Sequence, residues 1–173
     1  MRPNLEIGDF VLVNRNAYGL EIPFTGREKL LSKGPEIGEI VVFFPPHKPT
    51  VPFVKRVIAK GGDTVTYVNK KYFVNGVVLS QEEFDQNTNS NLLIESNEGK
   101  DYVIRHMSRR GQNGNWVIPE GMYFVSGDNR DNSSDSRAWG YISEDVIWGR
   151  ADFIWMSWKS GEWPSFDRAG EIN

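Results

Sequence analysis

The feature that most limits this chain is its punctuation. Short β-branched and aromatic runs are cut by Gly, Pro, Asn and Asp, and no window longer than about ten residues keeps a helical period. A chain so interrupted cannot build long packed helices, and its fold class reads as mostly β. Candidate strands are Asp9 to Asn14, Glu39 to Phe44, Val51 to Ala59, Thr64 to Val68, Lys71 to Val74 with Val77 to Leu79, Asp101 to Met107, Asn115 to Ile118, Tyr123 to Ser126 and Val146 to Trp158. The last is long enough for a helix, but its β-branched and aromatic content and Gly149 favour a strand. Asn75-Gly76 predicts a type I′ hairpin, whose central residues both need positive φ. Helical candidates are short: Gly26 to Leu31 and a turn near Ser143-Glu144-Asp145.

A length of 173 residues with 39% hydrophobic and 13% aromatic content supports one well-packed domain, or a core with a modest insertion, and excludes disorder. Apolar runs such as Ile40 to Phe44 fall far short of the roughly 18 residues that span a bilayer, and no basic-then-apolar leader opens the chain. The absence of Cys rules out a disulfide scaffold, a thiolate zinc site and a thiol nucleophile. His47 and His106 are too few for most metal sites. A net charge of −3 gives no reason to expect nucleic acid, and Arg105-His106 with Arg109-Arg110 reads as a solvated turn. Residues 81–115 turn rich in Gln, Asn, Ser, Glu and Gly, with little apolar content before Tyr102-Val103-Ile104, so they read as an insertion. The organisation expected is a core of 1–80 and 116–163, an insertion of 81–115 and a tail of 164–173.

Two segments could carry chemistry. Period-two alternation puts Lys55 on one strand face with Val51, Phe53, Val57 and Ala59, while Arg56 takes the other. Either the first face is buried and Lys55 sits among apolar neighbours, or the opposite face is the buried one, or Lys55 snorkels from an edge. An apolar setting would lower a lysine from its usual pKa of about 10.4 toward the range of a general base. The second segment, Ser126 to Arg137, is polar or Gly throughout. It reads either as a surface loop of Asx turns or as a cross-linked platform that holds a catalytic group.

Together these segments resemble the type I signal peptidases, bacterial membrane-anchored endopeptidases with a Ser-Lys dyad. Gly127-Asp128-Asn129-Arg130-Asp131-Asn132-Ser133 through Asp135-Ser136-Arg137, and Lys55-Arg56-Val57 leading to Gly61-Gly62-Asp63, are similar to two of the family's signature boxes. Gly8-Asp9, Gly38 to Phe43 and Trp139-Gly140 agree in order and approximate spacing, so the likeness covers most of the chain outside 81–115. One departure stands out: the family's Met-x-Pro-Thr-Leu is Met1-Arg2-Pro3-Asn4-Leu5 here, with Asn in place of Thr.

The resemblance implies a signal-peptidase-like fold of coiled antiparallel sheets with a small insertion and few short helices. It implies Lys55 as general base, Ser133 orienting it, and Asp128, Arg130, Asp135 and Arg137 as support. The nucleophilic serine would stand just ahead of Met1, after the oxyanion-hole residues and a transmembrane anchor, leaving these 173 residues inactive alone. Ser126, Ser134 and Ser136 do not match its position. Met1, Leu5, Phe53 and Val54 would line the substrate hollow, and Trp155 and Trp163 would face the membrane. The implied substrates are signal peptides of exported preproteins, cut after small residues on the outer side of the bacterial cytoplasmic membrane without metal or cofactor. Other readings are an inactive homologue that binds exported peptides or partners, and a conjugation-type processing peptidase. The long Gly127 box argues against a self-cleaving repressor.

Overall fold

The computed structural model of the chain describes residues 1–21, 29–30, 33–45, 47–84, 91–107 and 113–172. The strands in chain order are β1 (Asp9–Asn14), β2 (Leu20–Glu21), β3 (Lys29–Leu30), β4 (Ile40–Phe43), β5 (Phe53–Lys60), β6 (Thr64–Val68), β7 (Lys71–Val74), β8 (Val77–Val78), β9 (Ser80–Glu83), β10 (Leu92–Asn97), β11 (Lys100–Arg105), β12 (Gly114–Val117), β13 (Met122–Ser126), β14 (Ile142–Ser143), β15 (Ile147–Ser157) and β16 (Gly170–Glu171). One four-residue helix, α1 (Ser136–Trp139), lies between β13 and β14, and 3-10 turns cover Arg130–Asn132 and Glu144–Val146. The mostly β reading holds, with all named strand pairs antiparallel.

A seven-stranded sheet in the order β1-β15-β4-β5-β13-β14, with β16 added beside β15, forms the body. Its central strand β4, Ile-Val-Val-Phe, is buried at every position, as expected of a strand covered on both faces. On one face Val41, Phe43, Val57, Val125 and Ile147 pack with Tyr18; on the other Ile40, Val42 and Ala151 pack with Met1, Val11 and Val54. A second sheet, β12-β6-β7-β8, encloses Ile58, Ala59, Val65, Tyr67, Tyr72 and Phe124. Asn75 and Gly76 have φ of 51° and 80°, the positive values the hairpin between β7 and β8 requires.

Four particulars differ from the sequence reading. Leu92–Asn97 is a strand, and β9, β10 and β11 form a sheet of their own. Lys29–Leu30, inside the segment read as helical, pairs with Leu20–Glu21, and the rest of that segment lies outside the described residues. His106 is not solvated, its side chain being only 12% exposed, and Arg109-Arg110 lie outside the described residues. Ala59 leaves the Lys55 face because the β5–β13 register slips at Ile58, and both residues join the second sheet's cluster.

Candidate active site

Lys55 and the Gly127 loop meet where β5 and β13 part. Their ladder runs from Tyr123 opposite Lys60 to Ser126 opposite Arg56 and stops there, because Gly127 leads the chain away. Ahead of Arg56, Phe53–Lys55 remains paired with β4, but among the described residues no strand pairs its other side. Lys55 reaches from this edge, and its Nζ donates to Ser133 Oγ at 3.1 Å. Burial pushes the ammonium below the usual lysine range; Asp135 and Asp128 oppose that shift and Arg137 adds to it. Lys55 is half-buried, with Nζ 5.8 Å from the centre of the Phe53 ring.

The loop is fixed from several sides. Asp135 caps α1 by accepting from the Arg137 backbone N–H, receives Gly127 N–H at 3.0 Å, and binds the Arg137 guanidinium at 2.7 and 2.8 Å. Burial alone would raise its pKa, but the bonds from Arg137, Gly127 and the Ser133 hydroxyl outweigh burial and hold it low. Ser133 is thereby tied to Lys55 on one side and Asp135 on the other. Arg137 Nη2 also donates to the carbonyl of Arg130 at 2.6 Å. Asp128, fully buried, takes Arg56 Nε at 2.9 Å and Nη2 at 3.1 Å. Ser126 and Ser136 are buried in structural bonds, the first accepting from Tyr72 and the second from Val125 N–H, whereas Ser134 is exposed.

Sequence reasoning missed Glu95. It lies in β10, is 0% exposed, and binds both terminal nitrogens of the equally buried Arg130 while Tyr102 and Gln81 donate to it. A charged residue at an inward position of Leu92-Leu93-Ile94-Glu95 was the available signal. Asp131 extends the same link, taking Lys70 Nζ at 2.8 Å and Met107 N–H at 2.6 Å.

Beside this cluster a hollow of about 480 Å³ is lined by Met1, Leu5, Val54, Asn129 and Asn132, among others. Phe53 is not among its walls: alternation turns it to the opposite face, where it packs edge-on to Phe43 at 6.1 Å. The Met1 amino group sits close enough to Lys55 and Asp128 to feel both charges, and burial holds its pKa below the ordinary value. Trp155 and Trp163 lie apart from the cluster at the surface, Trp163 92% exposed; Trp158 and Phe166 are exposed nearby in sequence, and Phe10 meets Trp155 edge-on at 6.2 Å. Among the described residues no three His, Asp or Glu side chains gather as a metal ion would need, and no helix is long and apolar enough to cross a membrane.

This chain has clear relatives. A signal peptidase I of Pseudomonas aeruginosa is 36% identical over 194 residues, covering 100% of this chain and 68% of the relative. One from Pseudomonas fluorescens is 34% identical over 193 residues, covering 99% and 68%. A crystal structure of a signal peptidase I from Enterococcus faecalis is 30% identical and covers 68% of this chain and 97% of that one, with a TM-score of 0.45. Residues 1–158 match the family described as signal peptidase, peptidase S26, and with that span and those identities the chain belongs to this family.

Proposed function

We propose that these residues form the catalytic region of a signal peptidase I that cleaves exported preproteins after small residues by a Ser-Lys mechanism. The observation that carries this reading is Lys55 Nζ, 3.1 Å from Ser133 and lowered in pKa by burial. Lys55 is the general base, and Ser133 holds its amine in line. The nucleophile in this reading is a serine joined ahead of Met1 in a longer polypeptide; the electrostatic reach between the Met1 nitrogen and Lys55 supports that placement.

Neutral Lys55 takes the serine hydroxyl proton as the oxygen attacks the scissile carbonyl, then gives it to the departing amine. It next takes a proton from the water that attacks the ester and passes it to the serine oxygen as the ester C–O bond breaks, which frees the serine and restores neutral Lys55. A lysine at its usual pKa of about 10.4 would be neutral less than about 1% of the time at pH 8, so the apolar setting is part of the chemistry. Asp135 and Arg137 keep Ser133 in place; Asp128 and Arg130 brace the same loop.

The side of Phe53–Lys55 left unpaired among the described residues suits an extended substrate added as a strand, whose alternate side chains enter small hollows. Met1, Leu5 and Val54 form one such hollow, compatible with the small residues of an A-x-A cleavage pattern. The exposed Trp155 and Trp163 support contact with the outer surface of the cytoplasmic membrane, since tryptophan favours that interface. Segment 81–115 is read as an insertion on the catalytic core.

The test expresses the longer polypeptide with its serine and supplies a preprotein with small residues at −3 and −1. Cleavage should vanish in Lys55→Ala; if Lys55→Ala cuts as well as the parent, the proposed base is wrong.

A further inference from the structure

Asn4 stands where the pattern this chain resembles has Thr, and its short side chain makes two hydrogen bonds to distant parts of the chain. Its Nδ2 donates both hydrogens, to the carbonyl of Val103 in β11 at 2.8 Å and to Asp128 Oδ2 at 2.6 Å. Its own carbonyl accepts Arg168 Nη2 at 3.2 Å, and Arg168 also binds Asp9 at the start of β1. The turn containing it closes with Leu5 N–H bonded to the Met1 carbonyl at 3.1 Å. The position of Met1 is therefore set through Asn4.

Both receivers of the amide are themselves fixed to the Lys55 site. Asp128 is shared between Asn4 and Arg56, the residue after Lys55. Beyond Val103, Arg105 N–H donates to the Asp128 carbonyl at 2.8 Å, Arg105 bridges Asn129, and Met107 N–H reaches Asp131. The β10–β11 ribbon thus grips the Met1–Leu5 turn with one strand position and the Ser133-bearing loop with the next ones. A threonine hydroxyl has one hydrogen to give, whereas an asparagine amide has two. Only the amide donates to the ribbon and to Asp128 together.

We infer that Asn4 is a positioning residue for the proposed peptidase reaction, latching the Met1–Leu5 turn to Asp128 and to β11 so that the residue preceding Met1 is held against Lys55. This rests on the reading above. Asn4 touches neither substrate nor reacting atoms in this role. It acts by register, and a displacement of about 1 Å at a reacting centre costs on the order of 100-fold in rate.

The experiment compares Asn4→Ala, Asn4→Thr and Asn4→Asp in the full-length enzyme by steady-state cleavage of a preprotein across pH. Asn4→Ala should lower kcat by about 10- to 100-fold with little change in KM. Its acid limb should move to higher pH, because Asp128, relieved of the amide, acts more strongly on Lys55 beside Asp135 and Arg137. Asn4→Thr, with one donor, should recover part of the loss, and Asn4→Asp, a carboxylate against Asp128, should be the worst. Asn75→Ala, which removes bonds to Thr64 and Asp63 far from the site, is the stability control and should lower Tm without altering kcat. An Asn4→Ala enzyme with kcat and acid limb unchanged, or one losing activity only as its Tm predicts, overturns the latch while leaving the peptidase reading intact. A parent enzyme that fails to cleave, or a Lys55→Ala enzyme that still does, overturns the reading itself.

Discussion

Gly127 and Ser133 face each other so closely that no side chain fits between them. A Cβ on Gly127 would lie 2.8 Å from Ser133 Cβ and closer still to its hydroxyl, with Lys55 Nζ 3.5 Å away. The glycine is there for space, since Ser133 must lean over it to reach Lys55.

Gly127→Ala is therefore expected to displace Ser133 and uncouple it from Lys55. Overpacking of this kind costs about 1–3 kcal/mol, measurable by urea unfolding, and kcat/KM should fall by about 100-fold. The double variant Gly127→Ala/Ser133→Gly should regain stability but not activity. Equal recovery of both would mean that Ser133 does not orient the lysine.

Lys55→Met should abolish cleavage and stabilise the fold at pH 7. The folded state holds the Lys55 proton less tightly than the unfolded chain, so the unfolded state binds more protons between the lowered pKa and the ordinary lysine value. Parent stability should accordingly rise with pH through that window, and the advantage of Lys55→Met should shrink as it does. Tm followed from pH 6 to pH 10 reads both slopes.

His106 resists protonation down to about pH 4, chiefly through burial, with Arg130 and Lys70 adding to the effect and Asp131 opposing it. The unfolded chain takes that proton near 6.5, so stability should fall as pH drops from about 6.5 to 4, by no more than about 1.4 kcal/mol per pH unit. His106→Phe should flatten this part of the curve, seen in urea midpoints at successive pH values.

Glu95→Leu leaves the Arg130 guanidinium buried without its carboxylate and should cost about 3–5 kcal/mol. Adding Arg130→Met should restore most of that loss, though not all, because the Tyr102 hydroxyl also loses its acceptor. Unfolding midpoints of the two single variants and the double variant form the cycle that measures the pair.

The main sheet was legible because its strands carry their own pattern. Asp9–Asn14 alternates half-buried and exposed, and in the second sheet Thr64–Val68 likewise begins and ends where β-branched residues give way to polar ones. β10 was not, because its inward residues are Glu95 and Asn97, which look solvated until Arg130 and the Ile58 carbonyl arrive from elsewhere in the chain. Lys55 could be picked out by its neighbours, but whether it was interior or edge was open: it is both, half-buried on a strand whose ladder to β13 begins only one residue later, at Arg56. Val54 lines the hollow and Phe53 does not, because a shared strand does not mean a shared face. Asn4 registered only as a substitution, since its two receivers lie 99 and 124 residues away.

Among the described residues, the unpaired side of β5 is short, and its ends are defined. Pro52, with no N–H to offer, stands before Phe53, and β13 takes over at Arg56. In the proposed reading a visiting chain would find a berth only as long as Phe53–Lys55, enough main chain to read two side chains on one face and one on the other. So brief an edge gives few hydrogen bonds, which spares the fold from pairing with every extended segment it meets. In the proposed reading, a substrate docking there must make up the difference with the shape of its side chains, so its selectivity would follow from how little backbone is on offer.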